Sequence, residues 1–191
     1  MRTLSSAFII LILLTLVTGG IYPLLTTLIA GQLFPFQAQG SRLMAEDRYI
    51  GSLLIGQSFT RDDYFHGRPS ATAGSAYNTE ASGGSNLAGS NPELGIQVDD
   101  RIAFWRRSNG AAPVPLDLVA ASGSGLDPDI SPESARYQAA AIAGKRGLSE
   151  QQVLALIDKQ LAQRRGMPSF IAPPAINVLQ LNLALDALAQ R

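Results

Sequence analysis

Between Thr3 and Ser41 the chain carries no Asp, Glu, Lys or Arg, and its apolar heart runs from Leu4 to about Leu33. A helix of about 20 apolar residues crosses the hydrocarbon core of a bilayer. The run exceeds that length, so the rest of the chain reads as a domain tethered to a membrane. A cleaved signal peptide is the alternative, with an apolar region of about 7–15 residues ending at small residues. Thr18-Gly19-Gly20 resembles such a site, but Ile21, Tyr22, Leu24, Leu25, Leu28 and Ile29 restore the apolar character at once. Length favours an uncleaved anchor.

Gly19, Gly20 and Pro23 interrupt the span. Such breakers are tolerated where neighbours re-satisfy the freed backbone groups. With the hydroxyls of Thr15, Thr18, Thr26 and Thr27 they suit close helix–helix contact in lipid. Thr15, Thr18, Gly19, Gly20, Tyr22 and Pro23 are therefore the candidate docking residues of the anchor; a plain lipid-facing anchor is the simpler alternative. Charge is nearly mute on orientation, with Arg2 before the span and Arg42 and Arg48 after it. A short head before a long apolar run resembles an export signal, which places the C-terminal domain outside the cytoplasm. Phe34, Pro35 and Phe36 suit the membrane interface, and Gln37 to Gly40 reads as a polar hinge. The expected division is an anchor over residues 1–36 and one extracytoplasmic domain over residues 37–191.

The chain beyond the span is the size of one ordinary domain. Lys and Arg number 15 against 15 Asp and Glu, so no basic field exists to hold nucleic acid. With no cysteine, disulfides, thiolate metal sites and a cysteine nucleophile are excluded. His66 is the single histidine, which argues against zinc, an ion that takes several His, Cys or carboxylate ligands.

Local signals predict an α+β domain. Ser52 to Gln57 reads as a buried strand between glycines. An aromatic stretch with Arg and His comes next, Phe59 to Thr72. Gly74 to Gly95 is loop-like, yet Tyr77, Leu87 and Leu94 interrupt it, which predicts a folded, specifically shaped loop. Asn91-Pro92 starts a helix, with Leu94, Val98, Ile102 and Trp105 on one face, and Asn109-Gly110 ends it. Leu116 to Ala120 reads as a second strand, and Ser122 to Pro128 as a turn. Ser131 and Pro132 open a helix that ends near Gly147. Ser149-Glu150-Gln151-Gln152 is a capping box opening another helix to about Arg165, with Leu154, Ile157 and Leu161 as its stripe. After a connector from Pro168 to Pro174, Ala175 to Val178 is a short strand and Leu179 to Ala189 a closing helix.

No chemical motif is complete. Gly123-Ser124-Gly125 is the nearest thing to a phosphate cradle, but no Lys succeeds it, and a simple turn is favoured. His66 with a serine offers a base and a nucleophile, but no G-x-S-x-G elbow exists and a structural or interface role is favoured. Asp117, Asp127 and Asp129 are either paired carboxylates or turn and helix-entry groups, the latter favoured. Arg68 is either a substrate clamp or an internal hydrogen-bond hub, and its five donors favour the hub.

Several longer runs carry a resemblance. They are Thr18-Gly19-Gly20-Ile21-Tyr22-Pro23-Leu24, Gly56-Gln57-x-Phe59, Tyr64 to Thr72, Ser82 to Leu87 and Ser90-Asn91-Pro92. Asp117-Leu118-Val119, Ala121 to Asp127, and Asn177-Val178-x-x-Leu181 to Asp186 continue it. Together, in order and over nearly the whole chain, they are similar to KdpC, the C subunit family of the bacterial Kdp potassium-transporting ATPase. The resemblance implies a non-catalytic subunit of an inner-membrane potassium pump. The implied partners are a channel-like subunit that selects potassium, a P-type subunit that hydrolyses ATP and a small single-span subunit. It implies complex assembly and a catalytic-chaperone role that raises the ATPase subunit's affinity for ATP, with ATP (via the ATPase subunit) and potassium handled by the complex. A domain outside the cytoplasm cannot meet cytoplasmic ATP, so a cap over the external mouth of the selectivity subunit is the better expectation. Tyr64, Phe65, His66 and Arg68, with Ser82, Gly83, Gly84, Ser85 and Asn86, are its candidate contact surfaces. The rival classes are a membrane-anchored extracytoplasmic hydrolase using His66 and a serine, and a secreted binding module released after Gly19 or Gly20.

Overall fold

The apolar run becomes helix throughout. In the computed structural model, which describes residues 2–45, 47–163 and 173–189, α1 (Arg2–Leu16) passes through one wide turn (Val17–Ile21) into α2 (Tyr22–Leu33). The stretch Arg2–Leu33 is long and apolar enough to cross a membrane, and none of it is buried. The wide turn has a local cause. Pro23 has no N–H to donate, and its ring crowds the carbonyl four residues back, at Gly19. The backbone widens just ahead of it, and the Tyr22 N–H reaches the Val17 carbonyl five residues back.

A short helix α3 (Pro35–Ala38) comes next and ends in two hydrogen bonds. Gly40 N–H donates to the Gln37 carbonyl at 2.9 Å, and Ser41 N–H to the Phe36 carbonyl at 3.0 Å. Gly40 stands at φ +81°, so the paired bonds form a Schellman cap around a left-handed residue. The expected polar hinge is thus a closed turn. It leads into β1 (Arg42–Ala45), which pairs with β2 (Arg48–Ser52), Asp47 turning at φ +61°. The chain over Met1–Ile50, which takes in all of these elements but the end of β2, forms one compact unit.

The second unit, Gly51–Arg191, contains helices α4 (Pro92–Asn109), α5 (Leu116–Val119), α6 (Pro132–Arg146), α7 (Glu150–Gln163) and α8 (Val178–Ala189). Strands β3 (Asp129–Ile130) and β4 (Ile176–Asn177) pair antiparallel, Asp129 opposite Asn177 and Ile130 opposite Ile176. The main core gathers Ile130, Ala139, Ile142, Val153, Ile157, Leu181 and Leu185 around Phe65. A second cluster packs Leu118 and Val119 on Trp105, with Val98, Ile102 and Tyr137 around them.

The helix starts obey the sequence signals. Asn91 accepts from the Glu93 N–H, and Ser131 from the Ser134 N–H. Ser149 and Gln152 exchange side chain-to-backbone bonds as a capping box. Two expected strands take other forms. Leu116–Val119 is a helical turn, because Leu118 and Val119, neighbours in sequence, are both buried in one cluster, which a strand's alternation forbids. Their carbonyls are taken by side chains of α4: Trp105 Nε1 donates to Leu118 and Arg101 Nη1 to Val119. The strand expected over Ser52 to Gln57 lies earlier and ends at Ser52. Leu54 is 61% exposed, and the Leu53 carbonyl accepts from Asn177 Nδ2 instead of a ladder partner. The predicted helix end near Arg165 and the start of the Pro168 to Pro174 connector lie outside the described residues.

Candidate docking site

The segment from Phe59 to Asn91 contains no helix or strand, so its backbone groups need other partners. Two buried amides supply them. Asn182 on α8 accepts from the Phe65 N–H at 2.8 Å and donates to the Phe65 carbonyl at 2.9 Å. Gln138 on α6 does the same for His66, at 2.8 and 3.2 Å. Each amide mimics a strand neighbour for one residue, and the pair clamps the segment between two helices. With its backbone held, Phe65 sinks fully into the core at 0% exposure. It therefore offers nothing to a partner, which corrects its place among the contact residues.

Its neighbours diverge. The Tyr64 hydroxyl donates to Asp186 at 2.9 Å, and the Arg146 guanidinium lies 4.5 Å above the Tyr64 ring. The Arg146 side chain, 8% exposed, also donates to Asp186 and to the Asp63 carbonyl. The His66 ring turns the other way, edge-on to Trp105 at 5.6 Å and 6.2 Å from Phe104. Burial pushes its pKa below the ordinary value, against the upward pull of the Arg61 carbonyl and the Asp62 carboxylate. Among the described residues no serine hydroxyl hydrogen-bonds this ring, so the geometry gives no support to a Ser–His pair.

Arg68 is the hub that its donors suggested. Nη1 pairs with Asp127 at 3.0 Å and Nη2 reaches the Ala121 carbonyl at 3.4 Å. Tyr77 donates to the Arg68 carbonyl, Ser70 to the Gly125 carbonyl, and Ser82 and the Gly83 N–H to the Ser124 carbonyl. The loop after Arg68 and the Ser122 to Asp127 turn are thus one structure. Glycines permit the approach. A Cβ on Gly125, which stands at φ +69°, would lie 2.7 Å from the Gly83 carbonyl, and one on Gly84 3.2 Å from the Gly123 carbonyl. Ser82, Ser85 and Asn86 are exposed on this assembly.

Asp117 and Asp127 act as turn and entry groups, while Asp129 belongs to β3 and accepts from Asn177 Nδ2. Asp117 accepts from the Ser131 N–H and from the hydroxyls of Ser131 and Ser134, clasping α5 to the start of α6. Burial pushes its pKa up, but those hydrogen bonds outweigh it and hold the carboxyl below the ordinary value. Asp127 accepts from the Asp129 N–H besides pairing Arg68.

On the apolar helix, Thr18 donates to the Leu14 carbonyl at 2.7 Å and Thr26 to the Tyr22 carbonyl at 2.9 Å. Both hydroxyls are satisfied within their own helix. Gly19 and Gly20 keep open space around them, while Thr15, Tyr22 and Pro23 are exposed.

The clamping role of Gln138 and Asn182 is only faintly written in the sequence. Its trace is a polar side chain in an otherwise apolar run, Leu181-Asn182-Leu183 and Gln138-Ala139-Ala140. Such a residue at a core position needs a hydrogen-bond partner.

The molecule so described is a candidate single-span helix and hairpin joined to an α+β domain whose irregular segment is fixed by buried amides. The family described as K+-transporting ATPase, c chain (KdpC) matches residues 4–187, and the chain belongs to that family. It is 54% identical over 187 residues to the potassium-transporting ATPase KdpC subunit of Pectobacterium atrosepticum, covering 97% of each chain. To the subunit of the same name from Erwinia tasmaniensis it is 54% identical over 190 residues, covering 98% of this chain and 99% of the relative. To that of Escherichia coli (strain 55989) it is 50% identical over 190 residues, with the same coverage.

Proposed function

We propose that the chain serves as the C subunit of an ATP-driven potassium uptake pump: a non-catalytic, single-span subunit of the bacterial inner membrane with its folded domain outside the cytoplasm. The family relation along residues 4–187 carries this reading. Its partners are a potassium-selecting channel-like subunit, a P-type ATPase subunit and a small single-span subunit. The chain assembles and stabilises the complex, its helix packing on partner helices through the open side of Gly19 and Gly20. The domain caps the external mouth of the selecting subunit, with His66 and the Ser82 to Asn86 loop as contact surfaces. Any gain in the P-type subunit's ATP affinity, the catalytic-chaperone role, is then exerted through partner contacts, because a domain outside does not meet cytoplasmic nucleotide.

Removing residues 51–191 while keeping 1–50 tests the cap. The expected result is a complex with altered potassium affinity or turnover; unchanged values of both would sink it. His66→Ala addresses the hydrolase alternative, which requires a soluble-substrate activity that this substitution abolishes.

A further inference from the structure

We infer that the hairpin β1–β2 lies in the lipid headgroup layer of the leaflet in which the apolar helix ends, Tyr49, Met44 and Arg42 forming the face that meets the lipid. The inference rests on the anchored reading of the helix. The Schellman cap at Gly40 and Ser41 joins α3 to β1 without slack, and Ser41 is buried there. Only a short helix and this closed turn separate the end of α2 at Leu33 from Arg42, so the hairpin starts within reach of the bilayer surface.

Its exposed face has interfacial chemistry. Strand alternation puts Arg42 and Met44 on one side, and the Arg42 guanidinium lies 4.2 Å over the Tyr49 ring, which brings Tyr49 to that side. Met44 and Tyr49 are both more than half exposed, as is Phe34 at the end of the span, with Phe36 close behind. Aromatic rings settle at headgroup depth, and arginines stretch their charge toward phosphate while their stems stay in apolar surroundings. Apolar exposure continuous with a membrane span is completed by the same bilayer.

In the sequence, Arg42 and Arg48 are offset by Glu46 and Asp47. Insertion is therefore driven by amphipathic fit and does not depend on the fraction of anionic lipid.

The chain has no cysteine, so a substituted cysteine is its single labelling site and is labelled before the complex is assembled. Met44→Cys and, separately, Tyr49→Cys, each carrying an environment-sensitive fluorophore, are reconstituted as the full chain, alone and in the assembled complex. The vesicles are phosphatidylcholine with and without phosphatidylglycerol, and the quenchers are headgroup-region nitroxide lipid and aqueous iodide. Leu14→Cys reports the span, and any substituted chain that misfolds is recognised by loss of the Trp105 emission of the unsubstituted protein. The expected result is lipid quenching at both hairpin sites severalfold above iodide quenching, equal in the two lipid mixtures and alone or in complex. Dominant iodide quenching overturns the inference, and so does protection from both quenchers in the complex, which would mean that a polypeptide covers the face. Quenching that appears only with phosphatidylglycerol overturns the amphipathic basis. Leu14→Cys quenched by iodide would instead overturn the anchored reading, and the hairpin's place with it.

Discussion

At the scale of single residues, the fold depends on two amides that stand in for a missing sheet. Asn182→Ala leaves the Phe65 N–H and carbonyl buried without partners. A buried unsatisfied group costs about 1–3 kcal/mol, so the expected loss is about 2–5 kcal/mol, read from urea unfolding of the full chain in detergent. Tyr137 gives the opposite sign. Its hydroxyl oxygen is buried with no hydrogen-bond partner among the described residues, so Tyr137→Phe is expected to be neutral or stabilising by up to about 1 kcal/mol. His66 sets a pH dependence. Because burial lowers its pKa in the folded state, the unfolded chain takes up the proton first. Stability is full above the ordinary value of 6.5, falls as pH drops below it, and levels off below the folded value. Asp117 and Asp63, held below 3.8, lose their contributions only in more acidic solution. Melting temperatures between about pH 7.5 and 5 should slope in the wild type and flatten in His66→Gln; an unchanged slope would remove His66 as its source.

At the scale of elements, the long irregular segment is fixed by its join to the Ser122 to Asp127 turn. Two glycines separate steric demand from mere composition. Gly125→Ala places a methyl against the Gly83 carbonyl at a positive φ and should cost about 1–3 kcal/mol. Gly123→Ala meets nothing within 4 Å and should fall within about 0.5 kcal/mol of wild type. Equal effects in the same unfolding assay would contradict the joined-loop description. Helices were legible in the sequence because caps and apolar spacing are local: Asn91, Ser131 and the Ser149 box all start helices. Leu116–Val119 was not, because its conformation is decided by Trp105 and Arg101, distant in sequence, taking its carbonyls. The hairpin Arg42–Ser52 escaped notice since Arg, Glu and Asp surround few apolar positions. Of the candidate site, Arg68 was legible as a hub from its donor count. Phe65 was misplaced, because an aromatic beside His and Arg does not declare which way it points.

At the scale of the molecule, the described parts leave one helix face open and tie polar side chains of the domain to its own loops. The helix Arg2–Leu33 satisfies the hydroxyls of Thr18 and Thr26 within itself and leaves Gly19 and Gly20 open to a neighbour. The domain commits its polar side chains to its own loops, as Arg68, Asp117 and Asn182 illustrate. Replacing Gly19 and Gly20 together by leucine should leave the chain in the membrane but reduce the partner polypeptides recovered with it, because bulk at this point holds helix backbones apart.

The most direct measurement of the central claim is extraction of the tagged full-length chain in mild detergent, with mass spectrometry of whatever accompanies it. Stoichiometric recovery of a large polytopic subunit and a P-type ATPase subunit is the expected result. A chain recovered alone, from cells that express those subunits, would contradict it.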